Sequence, residues 1–380
     1  MPTTALYNFS PALNLMMMGL IIAIGPLAWV WLRNRKTFVI KRLHVLTLII
    51  LFLTFDLVMF GAFTRLTDSG LGCPDWPGCY GHMSPVGAQL SIDAAQSAQP
   101  NGPVTHPKAW IEMIHRYLAT GVGVMILTLT VSSWLERKRH QLSTRFPLVI
   151  LFWVCLQGAF GALTVTMKLF PLIVTLHLLG GMVLLAILKV QAVRYAQAQG
   201  EHLPVTLPTS IWILTLTTFA LLWLQIALGG WVSTNYAVMA CTDFPACQNS
   251  LWPVMDFAQG FSLWRELGID GDGNNISFAA LTAIHYVHRL SAYVVFTLMV
   301  ALSIKLYRVA ALRSQAQCLC GLAVLQIATG LGNVLLGWPL LAAVLHTGGA
   351  GALVIVLTGI VLSSRNTLHL ASAPKLNVSH

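Results

Sequence analysis

Nine apolar runs, each long enough to cross a bilayer, dominate the chain: residues 12–32, 43–63, 111–134, 147–166, 171–190, 210–232, 280–304, 317–337 and 340–363. Within lipid no water can pair a backbone N–H or C=O, so each run must satisfy its own backbone and folds as a helix. The fold class is therefore an all-α polytopic membrane protein. Composition agrees, since 56% of residues are hydrophobic and 9% charged, which no soluble domain of this size sustains. The first run has no basic stretch before it and no small-residue cleavage site after it, and reads as a retained span.

A net charge of +10 invites a nucleic-acid reading, but its placement does not. Five basic residues lie in "RNRKTFVIKR" between the first two spans, and Arg137, Lys138, Arg139 and Arg145 follow the third. Lys189, Arg194, Lys305, Arg308, Arg313, Arg365 and Lys375 complete a set of 16 among 22 Lys and Arg on one alternating side. The positive-inside rule makes that side the cytoplasm, puts the N-terminus in the periplasm and the C-terminus in the cytoplasm, and turns the two long loops outward. The basic balance is topogenic, and no nucleic-acid partner is expected.

The chain also repeats itself. "GAFTRLTDSGLGCPDWPGC" from Gly61 corresponds to "GGWVSTNYAVMACTDFPAC" from Gly229, with Cys73 and Cys79 matching Cys241 and Cys247. Glu112-x-x-His115-Arg116 corresponds to His285-x-x-His288-Arg289. "LQGAFGALT" leading to His177 matches "LQIATGLGN" leading to His346. Spans two to five and six to nine thus form two four-helix units, parallel because each holds an even number of spans. The expected organisation is an extra N-terminal span with a basic loop (1–42), one four-helix bundle (43–200) and a second (201–380).

Four of the twelve histidines recur at matched positions: His115, His177, His288 and His346. All four fall in the outer third of their spans, two to a bundle. Facing imidazoles in a four-helix bundle suit axial ligation of an iron porphyrin. The glycines nearby (Gly121, Gly123, Gly180, Gly181, Gly348, Gly349) would let a flat macrocycle lie against a helix, although small residues also serve plain packing. A packing histidine is the bland alternative for any one of them, and zinc would want a compact carboxylate or thiolate set that is missing at this depth. Arg116 and Arg289 suit either a propionate or lipid phosphate. Glu112 stands where the second half has His285. On one helix face with Arg116, it reads as an internal ion pair or as a carboxylate facing a bound ligand in one half alone. Asp56, within the second span, has no assignable partner.

On "GAFTRLTDSGLGCPDWPGC", "EMIHR", "TLHLLGG", "HRLSAY" and "LHTGGA", residues 43–363 resemble the heme A synthase family. The resemblance implies an oxidoreductase that converts heme O to heme A by successive O2-dependent hydroxylations of the C8 methyl to a formyl group. It implies a permanent heme b as cofactor on His288 and His346. The substrate heme iron would lie in the N-terminal half near His115 and His177, with Glu112 needed for activity. Arg116 and Arg289 would join the cofactor-binding set. Partners implied are heme O, O2, membrane lipid, an external electron donor, a heme O synthase and further copies of the chain, in a bacterial inner membrane. His285, in place of the acid, makes a ligand switch with His288 conceivable, but His288 alone has the repeat position and the matched Arg. A diheme b-type electron carrier is the competing function, and parallel repeats also permit a transporter.

Cys73, Cys79, Cys241 and Cys247 lie in the outer loops, where an oxidising compartment favours disulfides. Closing so short a loop stabilises by about 2 kcal/mol in the chain-entropy model. The plain role is structural, and the family resemblance adds a redox-active or heme-handling role for Cys73 and Cys79. Cys155, Cys318 and Cys320 read as packing residues. "IDGDGNN" lacks the last glutamate of a calcium loop and reads as a polar turn, and "SIDAAQSAQPNGP" as a linker. Trp76, Trp110, Trp231, Trp252, Trp264 and Trp338 are expected in an interfacial belt.

Overall fold

The computed structural model describes residues 10–140, 143–201 and 204–366, so that Lys375 lies outside the described residues. The chain runs α1 (Ser10–Asn34), α2 (Val39–Leu66), α3 (Gln89–Ala98), α4 (His106–Leu135), α5 (Arg137–His140), α6 (Arg145–Thr166) and α7 (Pro171–Ala198). It continues through α8 (Thr209–Thr234), α9 (Phe257–Gly260), α10 (Phe278–Tyr307), α11 (Arg313–Leu335) and α12 (Leu340–Leu362). Nine of the described helices are long and apolar enough to span a membrane, and they coincide with the nine apolar runs. A short parallel pairing of β1 (Val205–Leu207) with β2 (Ser364–Asn366) ties the link between the halves to the end of α12.

Helices α2, α4, α6 and α7 pack in a ring, each on the next, and α8, α10, α11 and α12 do the same. The rings meet where α12 lies on α2 and α7, and α7 on α8. This packing fits the repeat, and the backbone carries its imprint. Asp68 and Tyr236 both adopt a left-handed turn (φ 53° and 55°), as do Tyr80 and Gln248 (φ 50° and 55°). The core runs through both rings, from Ile50, Met125 and Leu185 to Leu302, Leu319 and Leu357.

Helix α1 lies outside the rings along α4, where Gly19 faces Thr120 and Gly121 faces Ile22. Its Leu15, Met18 and Ile22 pack on a small outer core of Cys73, Cys79, Met113 and Tyr117. The extra span therefore backs the first outer loop.

Some local expectations give way. The tract read as linker forms α3, whose Ile92 is buried in the outer core. Trp231 is buried, donating Nε1–H to the carbonyl of Gly260 at 2.9 Å, so it is not part of the belt. Cys155, Cys318 and Cys320 are exposed on the helix surfaces instead of packing in the core. Asp56 is exposed too, in line with Leu48 and Phe52 on α2.

Candidate functional site

Each matched histidine rests on a glycine of the neighbouring helix. A Cβ built on Gly61 (α2) would lie 3.1 Å from Nε2 of His115 (α4), and one on Gly229 (α8) 2.9 Å from Cε1 of His288 (α10). Gly161 (α6) stands 3.6 Å from Cε1 of His177 (α7), and Gly330 (α11) 3.4 Å from that of His346 (α12) on the same construction. The cradles use different glycines from those singled out beside the histidines in sequence. Within each ring the two imidazoles are electrostatic neighbours, His115 with His177 and His288 with His346. Two imidazoles in each ring, each seated against a glycine of the next helix, match the donor set of a bis-histidine heme. No group of three or more His, Cys, Asp or Glu able to hold a metal ion gathers among the described residues. A porphyrin asks the protein for axial ligands alone, and the residues present fit it.

Above each pair sits a closed loop. Cys73–Cys79 and Cys241–Cys247 are disulfide-bonded, with all four residues fully buried. An aspartate ties each loop: Asp75 accepts from the N–H of Tyr80 (2.6 Å) and Gly81 (2.7 Å), and Asp243 from Gln248 (2.8 Å) and Asn249 (2.9 Å). The Asn249 and Gln248 bonds hold the Asp243 carboxyl below the usual carboxylate range, because they favour its charged form. These aspartates were legible as matched positions in the repeat.

The arginines hold the loops from below. Arg116 donates Nη1–H to the carbonyls of Asp75 (3.0 Å) and Pro77 (3.2 Å) and also to Gly78. Arg289 donates to Asp243 (2.9 Å), Ala246 (3.0 Å) and Cys241 (2.9 Å). Both guanidinium groups are buried and turned into the loops, so neither snorkels to lipid. Glu112 is paired with Arg116 and accepts from the N–H of Cys73 at 2.8 Å, which is the ion pair that the plain sequence reading described. In the second half His285 takes this place, with its Nε2 accepting from Nε–H of Arg289 at 3.3 Å. His285 therefore engages the loop anchor, while His288 engages the glycine cradle. The acidic turn near Asp270 closes on itself, its carboxylate accepting from the N–H of Asp272 and Asn274 at 2.9 and 2.8 Å.

A family model described as cytochrome oxidase assembly protein matches residues 44–358. The curated heme A synthase of Shewanella oneidensis is 36% identical over 312 residues, covering 82% of this chain and 93% of its own length. The chain belongs to the heme A synthase family. More distant members agree: the heme A synthase of Sinorhizobium medicae is 29% identical over 80% of this chain and 84% of its own. That of Halalkalibacterium halodurans is 24% identical over 81% and 93%. The matched region begins within α2, so the family pattern covers both rings and leaves α1 outside it.

Two further residues touch the histidines and were missed in sequence. Gln225 contacts His288, and Thr329 contacts His346. Neither recurs in the first half, so a search for matched positions passes over both.

Proposed function

We propose that this chain is a heme A synthase, an oxidoreductase that converts heme O to heme A. The observation that carries the reading is the set of four repeat-matched histidines, each seated on a glycine of the next helix. Heme b would be held by His288 and His346, and bound there it would supply a one-electron redox centre. The substrate heme O lies in the N-terminal ring against His115 and His177, its C8 methyl being the group oxidised. Each hydroxylation consumes O2, two electrons and two protons and returns one water, and loss of water after the second leaves the formyl group. Electrons come from an external donor.

Within this scheme the chain's own residues bind, roof and orient. His115 and His177 fix the substrate iron. Arg116 and Arg289 hold each disulfide loop closed over its ring, and they would be the cations nearest a bound heme's propionates. Glu112 joins loop, arginine and the helix of His115 by a carboxylate that the other half lacks, and this carboxylate would exchange protons with the substrate site. The two functional units are residues 43–200 and 201–380, which contain the rings α2–α7 and α8–α12, and 1–42 is an added segment. The protein resides in a bacterial inner membrane with its N-terminus periplasmic and C-terminus cytoplasmic, in reach of a heme O synthase and further copies of itself.

Four single variants test the division of labour. His288→Ala or His346→Ala removes the permanent heme b, whereas His115→Ala or His177→Ala leaves its spectrum intact and stops conversion. Pigment analysis with low-temperature absorption reads this out. Equal loss of heme b in all four, with only heme B extracted from the parent, would point to a diheme electron carrier.

A further inference from the structure

The two halves differ behind their histidines. Nδ1 of His346 lies 2.9 Å from the hydroxyl of Thr329. That hydroxyl has one proton, which it donates to the carbonyl of Leu325 at 2.7 Å, with the carbonyl of Gln326 at 3.3 Å as a weaker acceptor. Thr329 therefore accepts from His346, which carries its proton on Nδ1 and keeps the Nε2 lone pair free for iron. Gln326 steadies the same residue, donating Nε2–H to the His346 carbonyl at 2.9 Å. Across the ring, Nε2 of Gln225 lies 3.1 Å from Nδ1 of His288 and 3.2 Å from its carbonyl, while Oε1 of Gln225 is buried without a partner. The His288 carbonyl can only accept, so Gln225 is the donor here, and it holds the turn of α10 that carries His288 as Gln326 holds that of His346.

Among the described residues, the first half shows no such tethers. Leu57 stands four residues before Gly61, where Gln225 precedes Gly229, and Phe160 stands just before Gly161, where Thr329 precedes Gly330. Neither side chain can donate or accept a hydrogen bond. Nδ1 of His177 is buried with no partner, and His115 meets the ring of Phe60 at 6.2 Å between centroids.

We propose that Thr329 and Gln225 are positioning residues that make the C-terminal heme permanent, Thr329 by locking His346 in the iron-ready tautomer and Gln225 by fixing the turn that carries His288. Their apolar counterparts Leu57 and Phe160 leave the N-terminal pair able to release its heme. The physical ground is that a hydrogen bond to the distal ring nitrogen fixes orientation and raises ligand basicity, and its loss typically costs about 10–100-fold in metal affinity. A substrate site must let its heme go at every turnover, so the same tether there would trap product. This inference rests on the assignment of heme b to the C-terminal ring and substrate to the N-terminal ring.

The test uses the full chain purified with its heme b, topped up with added heme B to fill the N-terminal site, then mixed with excess heme-scavenging apo-globin. Loss of bis-histidine absorbance is expected in two phases, fast for the N-terminal and slow for the C-terminal heme. Thr329→Val and Gln225→Leu accelerate the slow phase about 10–100-fold and leave the fast one unchanged, and Thr329→Ser restores it. Thr329→Val also raises the midpoint potential of the slow heme, because a less basic imidazole stabilises ferric iron less. Phe160→Thr slows the fast phase. Should Thr329→Val not accumulate, Gln225→Leu, which copies the residue already borne by the other half, gives the same answer. An unchanged slow phase in the accumulating variants overturns the tethering. A slow phase that persists in His288→Ala instead overturns the assignment of the halves.

Discussion

Asp68 and Tyr236 occupy the same position in the two halves, 168 residues apart, and hydrogen-bond each other at 2.8 Å. Arg65 does likewise, donating to the carbonyl of Ser233, its own counterpart, and stacking 3.8 Å over the Tyr236 ring. Residues that touch their own repeat partners lie on a twofold pseudo-axis, as at an isologous dimer interface. The outer ends of the two rings are pinned at this point.

Tyr236→Phe should loosen that pin. The bond is partly exposed, so the expected loss is about 0.5–1 kcal/mol, read as a lower thermal midpoint in detergent. Burial pushes the Tyr236 hydroxyl above its ordinary 10.0. A raised value in the folded state means that its contribution is full below pH 10.0 and is lost as pH climbs through the folded value. The parent should therefore lose stability in that alkaline window and Tyr236→Phe should not.

Glu112→Ala leaves Arg116 buried beside an empty place, a change that costs about 3–5 kcal/mol when a buried pair is broken. Glu112→His is the cleaner variant, since the other half already pairs His285 with Arg289. It should remain folded and loaded with heme b yet lose heme A production by about 100-fold or more. Full activity in Glu112→His would reduce the carboxylate to a structural tie.

The cradles predict a graded response to a single methyl group. Gly229→Ala pushes directly on His288 and should lower heme b occupancy, at about 1–3 kcal/mol for an overpacked contact. Gly161→Ala, with 3.6 Å of clearance, should be tolerated. Heme absorbance per protein across the four Gly→Ala variants checks the order.

The buried disulfides should resist modification. Mass spectrometry of unreduced protein treated with a membrane-permeant alkylating reagent should show label on Cys155, Cys318 and Cys320 alone. Label on any of the four loop cysteines in protein isolated without reductant contradicts the closed loops.

Acid should open the second loop. The Asp243 value is depressed in the folded state, so its contribution is present above the ordinary 3.8 and is lost as pH falls through the folded value. Proteolytic nicking near Asn249 should rise in that window. Asp243→Asn should show raised nicking at neutral pH and no further acid step.

Nine membrane-length helices among the described residues, a tandem sequence repeat and four matched histidines were all readable from residue order alone. Lipid leaves a backbone one economical solution, and duplication prints every shared constraint twice. Both disulfides were legible for the same reason, as matched cysteines six residues apart. What depended on the approach of distant side chains was not legible. Arg116 and Arg289 sit where either a propionate or a lipid phosphate suits them, and only the closed loops show that carbonyls of Asp75 and Asp243 reach them first. Glu112 became an ion pair once the loop delivered the N–H of Cys73. The tethers on the histidines escaped entirely, because Gln225 and Thr329 stand at positions where the repeat is broken. A repeat reveals what two halves share, whereas the difference in how each half holds its histidines arises from contacts across neighbouring helices, which tertiary packing alone decides.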